Sequence, residues 1–498
     1  MIYNLKKLHI ILKKEMKIKM TELELKNLVL RIQNMQAEFQ TTEVKRAEKA
    51  APDKLYDTLS SFSNQNDGGV IVFGLYEEQN FTVTGVNDVQ ALQKKVMEQY
   101  NQMEPPVRAV FTAAEIDGKY VVAAEIPPVD ITERPCFYLA KGRIKGSYIR
   151  VGDADIPMTE YEVYSYEAYR KKYQDDIRPI ERAEMTSLNS GKLDGYLSRL
   201  KEGKPNLSML EDSQIMELMS IIKGGKPTLA AEMLFGLYPQ AFLPQLSIIA
   251  VCVPGTEIGN TNTDGTRFVD NKRIEGTIPE MLDGAMSFVN VNTRSRTVID
   301  KNGNRSDISD YPMKAVREII LNALVHRDYS FHTEGMPIQL TIFQDRLEVT
   351  NPGGLYGRIT VDTLCKVQPD TRNPVLATAL ELLKITENRY SGIPTIRREM
   401  SERGLPAPVF ENSRGEFKVK LYKNAAENSE TGDRTTAILD FCRTPRSRQE
   451  LSEFLGIAST TYAIKTYIQP LIDKGLIQLS NPSAPGSRSQ KFFTAKKD

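Results

Sequence analysis

From Thr21 to Leu55 the apolar positions Leu25, Leu28, Leu30 and Ile32 follow helical spacing, and the segment is predicted as helix. Thr58 to Gly74 then reads as a helix end, a polar Gly-rich turn and the continuous apolar run Val70-Ile-Val-Phe73, the mark of a buried strand. Phe81–Gly85 is short and strand-like, and Val89–Tyr100 is helical. Val107–Phe111, Tyr120–Ile126 and Ser147–Val151 read as strands, with Asp117-Gly118 as a hairpin turn between the first two. These elements make a mixed α+β domain ending near residue 165.

The middle of the chain is less regular. Tyr166–Tyr173, Lys192–Leu200, Ser213–Ile222 and Thr228–Phe235 look helical, and Leu246–Val253 is a continuous apolar strand. Glu257–Asp270 and Asp300–Asn304 are polar loops. Tyr311 to Leu421 forms a second α/β unit. Its helix Met313–Val325 precedes strands Ile338–Phe343 and Arg346–Thr350, joined at Gln344-Asp345, and helices Pro374–Leu383 and Thr395–Arg403 follow.

After a polar linker, the tail reads as helices Thr435–Cys442, Ser447–Phe454 and Ser459–Asp473, then Gly475–Leu479 and Lys491-Phe-Phe493. Ser447 and Glu450 fit a capping box on the second of these. The layout is that of a winged helix-turn-helix. The expected class is thus multidomain α+β. Its parts are a basic extension (1–29), an α/β domain (30–165), a mixed connecting region (166–300), an α/β sandwich (301–423), a linker (424–433) and the winged helix (434–498).

Composition narrows the function. At 498 residues the chain exceeds one ordinary core. A net charge of +1 excludes a whole-protein field for polyanions, so nucleic-acid binding must be local. The tail carries such a local excess, ten Lys/Arg against five Asp/Glu. Four cysteines without a CxxC, and three histidines, argue against a disulfide framework or a zinc site and suit a reducing cytoplasm. No apolar run reaches the roughly 18 residues of a membrane span. Met1–Met20 holds six lysines and one acid, and Met16 or Met20 as the true start stays open.

The candidate chemistry begins at Glu318 and Asn322, four apart and so on one helix face. An Asn amide oxygen can ligate a divalent cation on nucleotide phosphates, and a Glu one turn earlier can orient or deprotonate water. Alone, such a pair is common in helices. Together with His326-Arg-Asp-Tyr329, Asp345–Leu355 containing Asn351-Pro-Gly353-Gly354, and Arg372-Asn-Pro374, the stretch resembles the divergent GHKL-type ATPase domain of bacterial proteins labelled RecG-like. The resemblance implies ATP and Mg²⁺. Asn322 would hold the metal, Glu318 would activate water, and Asn351, Gly353 and Gly354 would form the adenine-contacting box. The second Gly box is Glu387-Asn-Arg-Tyr390-Ser-Gly392-Ile393, where Tyr390 replaces a glycine. No Walker A motif is present, so processive unwinding is excluded.

Further upstream, Glu38, Glu43 and Lys45, then Ser61–Gly74, Glu77 and Tyr148-Ile-Arg150-Val-Gly152, resemble the Schlafen AlbA-like domain. The resemblance implies a domain that handles DNA or RNA. In some members three carboxylates form a metal-dependent ribonuclease site. Carried over, these are Glu38, Glu43 and Glu77, holding Mg²⁺ or Mn²⁺ beside Lys45.

In the tail, Thr460, Tyr462 and Lys465 are expected to face the DNA groove, and Arg446, Arg448, Arg488 and Lys491 its phosphates. The reading is a cytoplasmic nucleic-acid-binding regulator of transcription, stress or defence with a nucleotide-sensing domain. The alternatives are a metal-dependent endoribonuclease and a scaffold with inactive pockets. ATP hydrolysis and homo-oligomer formation stay open.

Overall fold

The computed structural model describes residues 20–261, 265–293, 295–299, 305–364, 366, 367, 370–386, 391–413, 415–423, 438–455, 464–473, 475–481, 487 and 490–495. The chain divides into two compact units, residues 1–170 with 431–498, and residues 171–430. Among the described residues no helix is long and apolar enough to cross a membrane.

In the first unit, α1 (Glu22–Met35) starts at a capping box in which Thr21 and Glu24 exchange hydrogen bonds. Strand β1 (Thr42–Lys45), α2 (Tyr56–Ser63), β2 (Gly69–Phe73), α3 (Val89–Tyr100), β3 (Val110–Ile116) and β4 (Lys119–Ile126) follow. The sheet order is β1-β2-β4-β3, with β1 parallel to β2 and the other pairs antiparallel. Residues of a strand alternate between faces. Ile71, Phe73, Val122 and Ala124 therefore pack with Leu59 and Phe62 of α2 and Leu92 and Val96 of α3. Val72, Val121 and Ala123 pack with Leu25, Val29 and Ile32 of α1 on the opposite face.

The expected hairpin at Asp117-Gly118 is present, with φ of 52° and 73°, the pattern of a two-residue I′ turn. Strand β3 runs from 110 to 116, later than the expected 107–111. The hairpin β5 (Tyr148–Val151) and β6 (Ala154–Pro157) completes this part.

The second unit is built on α4 (Ser190–Gly203), α5 (Leu229–Phe235), β7 (Ile248–Cys252), β8 (Asp270–Ile274), α6 (Ile278–Asn292), α7 (Met313–His326), β9 (Ile338–Ile342), β10 (Arg346–Pro352), α8 (Pro374–Leu382), α9 (Gly392–Glu402), β11 (Val409–Ser413) and β12 (Glu416–Tyr422). One six-stranded sheet runs β8-β7-β9-β10-β12-β11, parallel only at β7 and β9. The boundary expected at residue 300 is therefore corrected. Strands from the supposed connecting region complete the sheet of the supposed sandwich, and one core extends from Ile180 to Leu421. The reason is physical: β7 is apolar along its length, and it satisfies its backbone between β8 and β9.

Two buried side chains fasten this unit across long separations. Asp176 is fully buried, and its Oδ2 accepts the Val375 and Leu376 N–H groups at 2.8 and 3.2 Å, capping α8. Burial pushes Asp176 up to about 6, against the pull of those two amides. Asn373 donates from Nδ2 to the carbonyls of Val325 and Arg327, both at 2.8 Å, closing the end of α7.

In the tail, β13 (Arg446–Ser447), β14 (Ile477–Leu479) and β15 (Lys491–Thr494) form a sheet of order β13-β15-β14, with α10 (Arg448–Phe454) beginning at Ser447. The expected capping box is observed: Glu450 Oε2 accepts the Ser447 N–H at 2.8 Å and Ser447 Oγ accepts the Glu450 N–H at 3.3 Å.

Candidate functional site

Helix α7 carries Glu318, Asn322 and His326 at four-residue spacing, so the three share one face. That face lines a cavity of about 330 Å³, together with Asn351, Gly353, Gly354 and Gly392. Gly392 opens α9 against the other two polar groups. A Cβ there would lie 2.9 Å from Asn322 Nδ2 and 3.1 Å from Glu318 Oε2. Any larger residue would crowd the acid and the amide. Asn322 Nδ2 is buried without a hydrogen-bond partner, a cost that folded proteins seldom carry outside functional sites. Glu387–Tyr390, including the Tyr390 departure, lie outside the described residues.

The loop after β10 is held rigidly. Gly353 has φ +102°, and its N–H donates to Gly415 O at 2.7 Å. Arg372 pairs with Asp328 at 2.8 Å, with both side chains almost wholly buried, and donates to Gly354 O at 3.3 Å. It also lies over the Tyr356 ring at 5.0 Å. His326 is exposed where it lines the cavity. The protein behind it, with the Arg372 charge, lowers its pKa, so it is neutral at pH 7. His326, Asp328 and Arg372 were not assigned site roles from sequence. The four-residue spacing after Asn322 was the available signal for His326.

The N-terminal acids are arranged differently from the expectation. Glu38 and Glu43 converge, but on Arg150, whose side chain is fully buried. Its guanidinium lies 2.8 Å from Glu43 Oε2, 3.0 Å from Asp155 Oδ1 and 3.4 Å from Glu38 Oε2, and it donates to Thr42 O at 3.2 Å. It also sits 5.2 Å from the Phe62 ring centre. The remaining oxygens are engaged too. Glu38 Oε1 accepts the Val44 N–H, Glu43 Oε1 pairs with Lys45, and Asp155 Oδ2 accepts from Thr58. Glu77 is exposed on a short 3₁₀ turn, Glu77–Gln79.

Among the described residues no group of three His, Cys, Asp or Glu is placed to hold a metal ion. The donor set does not fit Mg²⁺ or Mn²⁺ here, because Arg150, Lys45 and the neighbouring N–H and O–H donors already occupy the carboxyl oxygens. Burial works against the charge on Lys45, but Glu43 outweighs it and holds the ammonium above its usual range.

Burial, then the Glu43 charge, pushes Glu38 up to about 8. In the unfolded chain the same carboxyl has its ordinary pKa of 4.5. The folded state therefore keeps a proton that the unfolded state has lost, and this contribution to stability fades as pH rises from about 4.5 through about 8. Glu38→Gln, neutral at every pH, should flatten that slope. Melting temperatures of both proteins between roughly pH 5 and pH 9 test it, and parallel slopes would reject the assignment.

The tail residues divide. Arg446 donates to Phe441 O at 3.0 Å and lies over the Phe441 ring at 4.2 Å, while Arg448 is half-buried over Phe492 at 5.8 Å. Both were expected on phosphates; both are used in internal packing, as long cationic side chains often are. Lys491 is exposed. Thr460, Tyr462, Arg488 and the side chain of Lys465 lie outside the described residues.

Comparison with known proteins places these sites in families. Residues 38–159 match the family model "Schlafen, AlbA_2", a span that holds Glu38, Glu43, Arg150 and Asp155. Residues 335–421 match "Putative ATP-dependent DNA helicase recG C-terminal". The chain carries an AlbA_2 domain and a RecG-type domain. Asn351, Gly353, Gly354 and Gly392 fall inside the RecG-type match, whereas Glu318 and Asn322 lie upstream of it on α7.

Among solved structures the chain is similar to the DIP2311 protein from Corynebacterium diphtheriae, at 18% identity over 92% of each chain, with a TM-score of 0.39. It is also similar to the N-terminal domain of the "Putative ATP-dependent DNA Helicase RecG-related Protein" from Nitrosomonas europaea, at 22% identity over 28% of this chain and 92% of that one, with a TM-score of 0.23. No curated protein matches the chain.

Proposed function

We propose that the protein is a nucleic-acid-associated regulator whose RecG-type domain binds a nucleoside triphosphate with Mg²⁺. One observation carries this reading: Gly392 closes the cavity directly over Asn322 and Glu318, so that an amide, an acid and the start of a helix meet where phosphates and their cation would sit. Asn322 would hold the cation through its amide oxygen, and Glu318 would orient or deprotonate the attacking water. The cation supplies neutralisation of phosphate charge.

The AlbA_2 domain binds DNA or RNA without cutting it in this reading. Its support is the saturation of Glu38, Glu43 and Asp155 by Arg150, Lys45 and hydroxyl or amide donors. The tail acts as a winged helix on DNA, with Lys491 among its phosphate contacts. The protein works in the cytoplasm, and nucleotide occupancy biases nucleic-acid affinity.

Titration with a fluorescent ATP analogue and Mg²⁺ tests the pocket. Asn322→Ala should weaken binding by about 10-fold or more, since losing even an outer-shell partner of a bound metal costs about 10- to 100-fold. It should melt with the wild type, since its Nδ2 makes no internal hydrogen bond. Equal affinity for the two proteins, or no binding by the wild type, would end this reading.

A further inference from the structure

We propose that the protein forms a twofold homodimer through the edge strand β8 (Asp270–Ile274), which pairs antiparallel with β8 of a second copy about Asn271. The inference is independent of the nucleotide reading above.

Strand β8 ends the six-stranded sheet. Its inner side pairs with β7, and no strand lies on its outer side among the described residues. Asn271, Lys272 and Arg273 are exposed and Asp270 is half-exposed. Such an edge presents a row of backbone N–H and C=O groups that another strand can take. Apolar surface borders it. Phe268 and Val269, just before the strand, are 41% and 58% exposed, and Val291 of α6 is 78% exposed. A Cβ at Gly284 would lie 2.7 Å from Ile274 Cγ2, so the α6 flank of Gly284, Ser287 and Val291 runs beside the edge.

The charges on the strand decide which partner fits. Residues alternate between faces, so Asp270, Lys272 and the buried Ile274 share one face, and Val269, Asn271 and Arg273 the other. Arg273 is answered within its own chain, by Glu275 at 2.6 Å. Asp270 and Lys272 form no ion pair among the described residues. Asn292 Nδ2 donates to Asp270 Oδ2 at 2.8 Å and orients the carboxylate. Antiparallel pairing about Asn271 places Asp270 of each copy opposite Lys272 of the other, and Asn271 opposite itself. The two uncommitted charges are thus complementary to the same strand turned through half a circle, and the twofold makes the match twice. Moving the axis to Lys272 sets lysine against lysine, and moving it to Asp270 sets acid against acid, so the register is fixed. A strand of unrelated sequence meets the lysine without that acid, which is how edge lysines discourage unspecific pairing.

Sedimentation velocity on the full-length protein at about 100 µM should give twice the mass of one chain. Lys272→Asp, which sets acid against acid at two places, should weaken the dimer by about tenfold or more. Adding Asp270→Lys to it exchanges the two charges and should restore the affinity to within about threefold of wild type, which a merely structural role for either residue would not do. Asn271→Cys brings two thiols to the twofold at about 4.5–5.5 Å between Cα atoms, a spacing that a disulfide accepts. Mild oxidation should link that variant into a dimer on a non-reducing gel, while wild type and Arg273→Cys, whose counterpart is Val269, run as single chains. A wild-type protein that stays monomeric at every concentration up to about 100 µM overturns the proposal, and this measurement does not depend on a variant folding. A dimer that keeps its affinity in folded Lys272→Asp, that stays as weak in the folded exchange variant, or that gives no cross-link in Asn271→Cys also overturns it, because such a dimer uses another face.

Discussion

Arg150→Met should lower the melting temperature of the AlbA_2 domain by on the order of 10 °C, from a loss of about 3–5 kcal/mol. The guanidinium is fully buried and lies within 2.8 Å of Glu43, 3.0 Å of Asp155 and 3.4 Å of Glu38. Replacing it by an apolar side chain of similar reach leaves Glu43 and Asp155 in a nearly dry site without that counter-charge, and Glu38 without its partner. That penalty, rather than the missing attraction, dominates when one member of a buried pair is removed. Arg150→Lys should fall between the two proteins. One ammonium restores the charge but cannot span Glu43, Asp155 and the Thr42 carbonyl together. Thermal unfolding of the full-length protein, followed by near-ultraviolet circular dichroism, measures both. A shift of less than about 2 °C in Arg150→Met would show that the cluster does not hold the domain.

Gly353→Ala should be the most damaging small substitution at the cavity. The residue has φ +102°, a backbone that L side chains rarely adopt, and a Cβ would sit 2.5 Å from Asp328 Cβ and 2.6 Å from an Arg372 nitrogen. Neither neighbour can yield easily. Asp328 and Arg372 are paired at 2.8 Å, and the Asp328 N–H donates to Pro352 O at 3.0 Å. Strain and overpacking together should cost about 2–5 kcal/mol and weaken nucleotide binding by more than about tenfold. Gly404→Ala separates the two causes, because Gly404 has φ +66° with nothing within 4 Å of a Cβ. It should cost only about 1 kcal/mol. Denaturation midpoints of the two variants decide the matter, and equal losses would dismiss the crowding argument.

Local pattern carried much of the fold. The helix, Gly-rich turn and apolar run in Thr58–Gly74 became Tyr56–Ser63 and Gly69–Phe73 because burial of both strand faces leaves an unbroken apolar signature. The Asp117-Gly118 turn and the Ser447–Glu450 cap were legible for the same reason: each depends on two to four neighbouring residues. What escaped depends on distant partners. Leu246–Val253 announced a buried strand but not that Ile338–Ile342 would lie beside it, so the domain boundary was drawn between them.

The candidate sites divide along the same line. Glu318 and Asn322 share a helix, and helical spacing alone placed them together. Arg150 was visible only as part of a motif, and nothing in the charge pattern said that it would be buried against Glu38 and Glu43 more than a hundred residues upstream. Arg446 and Arg448 erred in the other direction. A basic excess reads as phosphate contact, while the phenylalanines that receive these guanidinium groups are apolar at the sequence level and give no warning.

The long-range ties of the second unit govern how it is made as well as how it stands. Strand Ile248–Cys252 has its parallel partner in Ile338–Ile342, and the carboxylate of Asp176 meets its amides 199 and 200 residues later. Translation at about 5–20 residues per second leaves roughly 10–40 s between the emergence of Asp176 and that of Val375. Within that interval strand Ile248–Cys252 gains its antiparallel neighbour Asp270–Ile274 early, but it waits for its parallel partner Ile338–Ile342, and the core stays half built. The nascent chain is thus expected to need shielding until the RecG-type segment leaves the ribosome, and slow codons late in its message would lengthen the exposure.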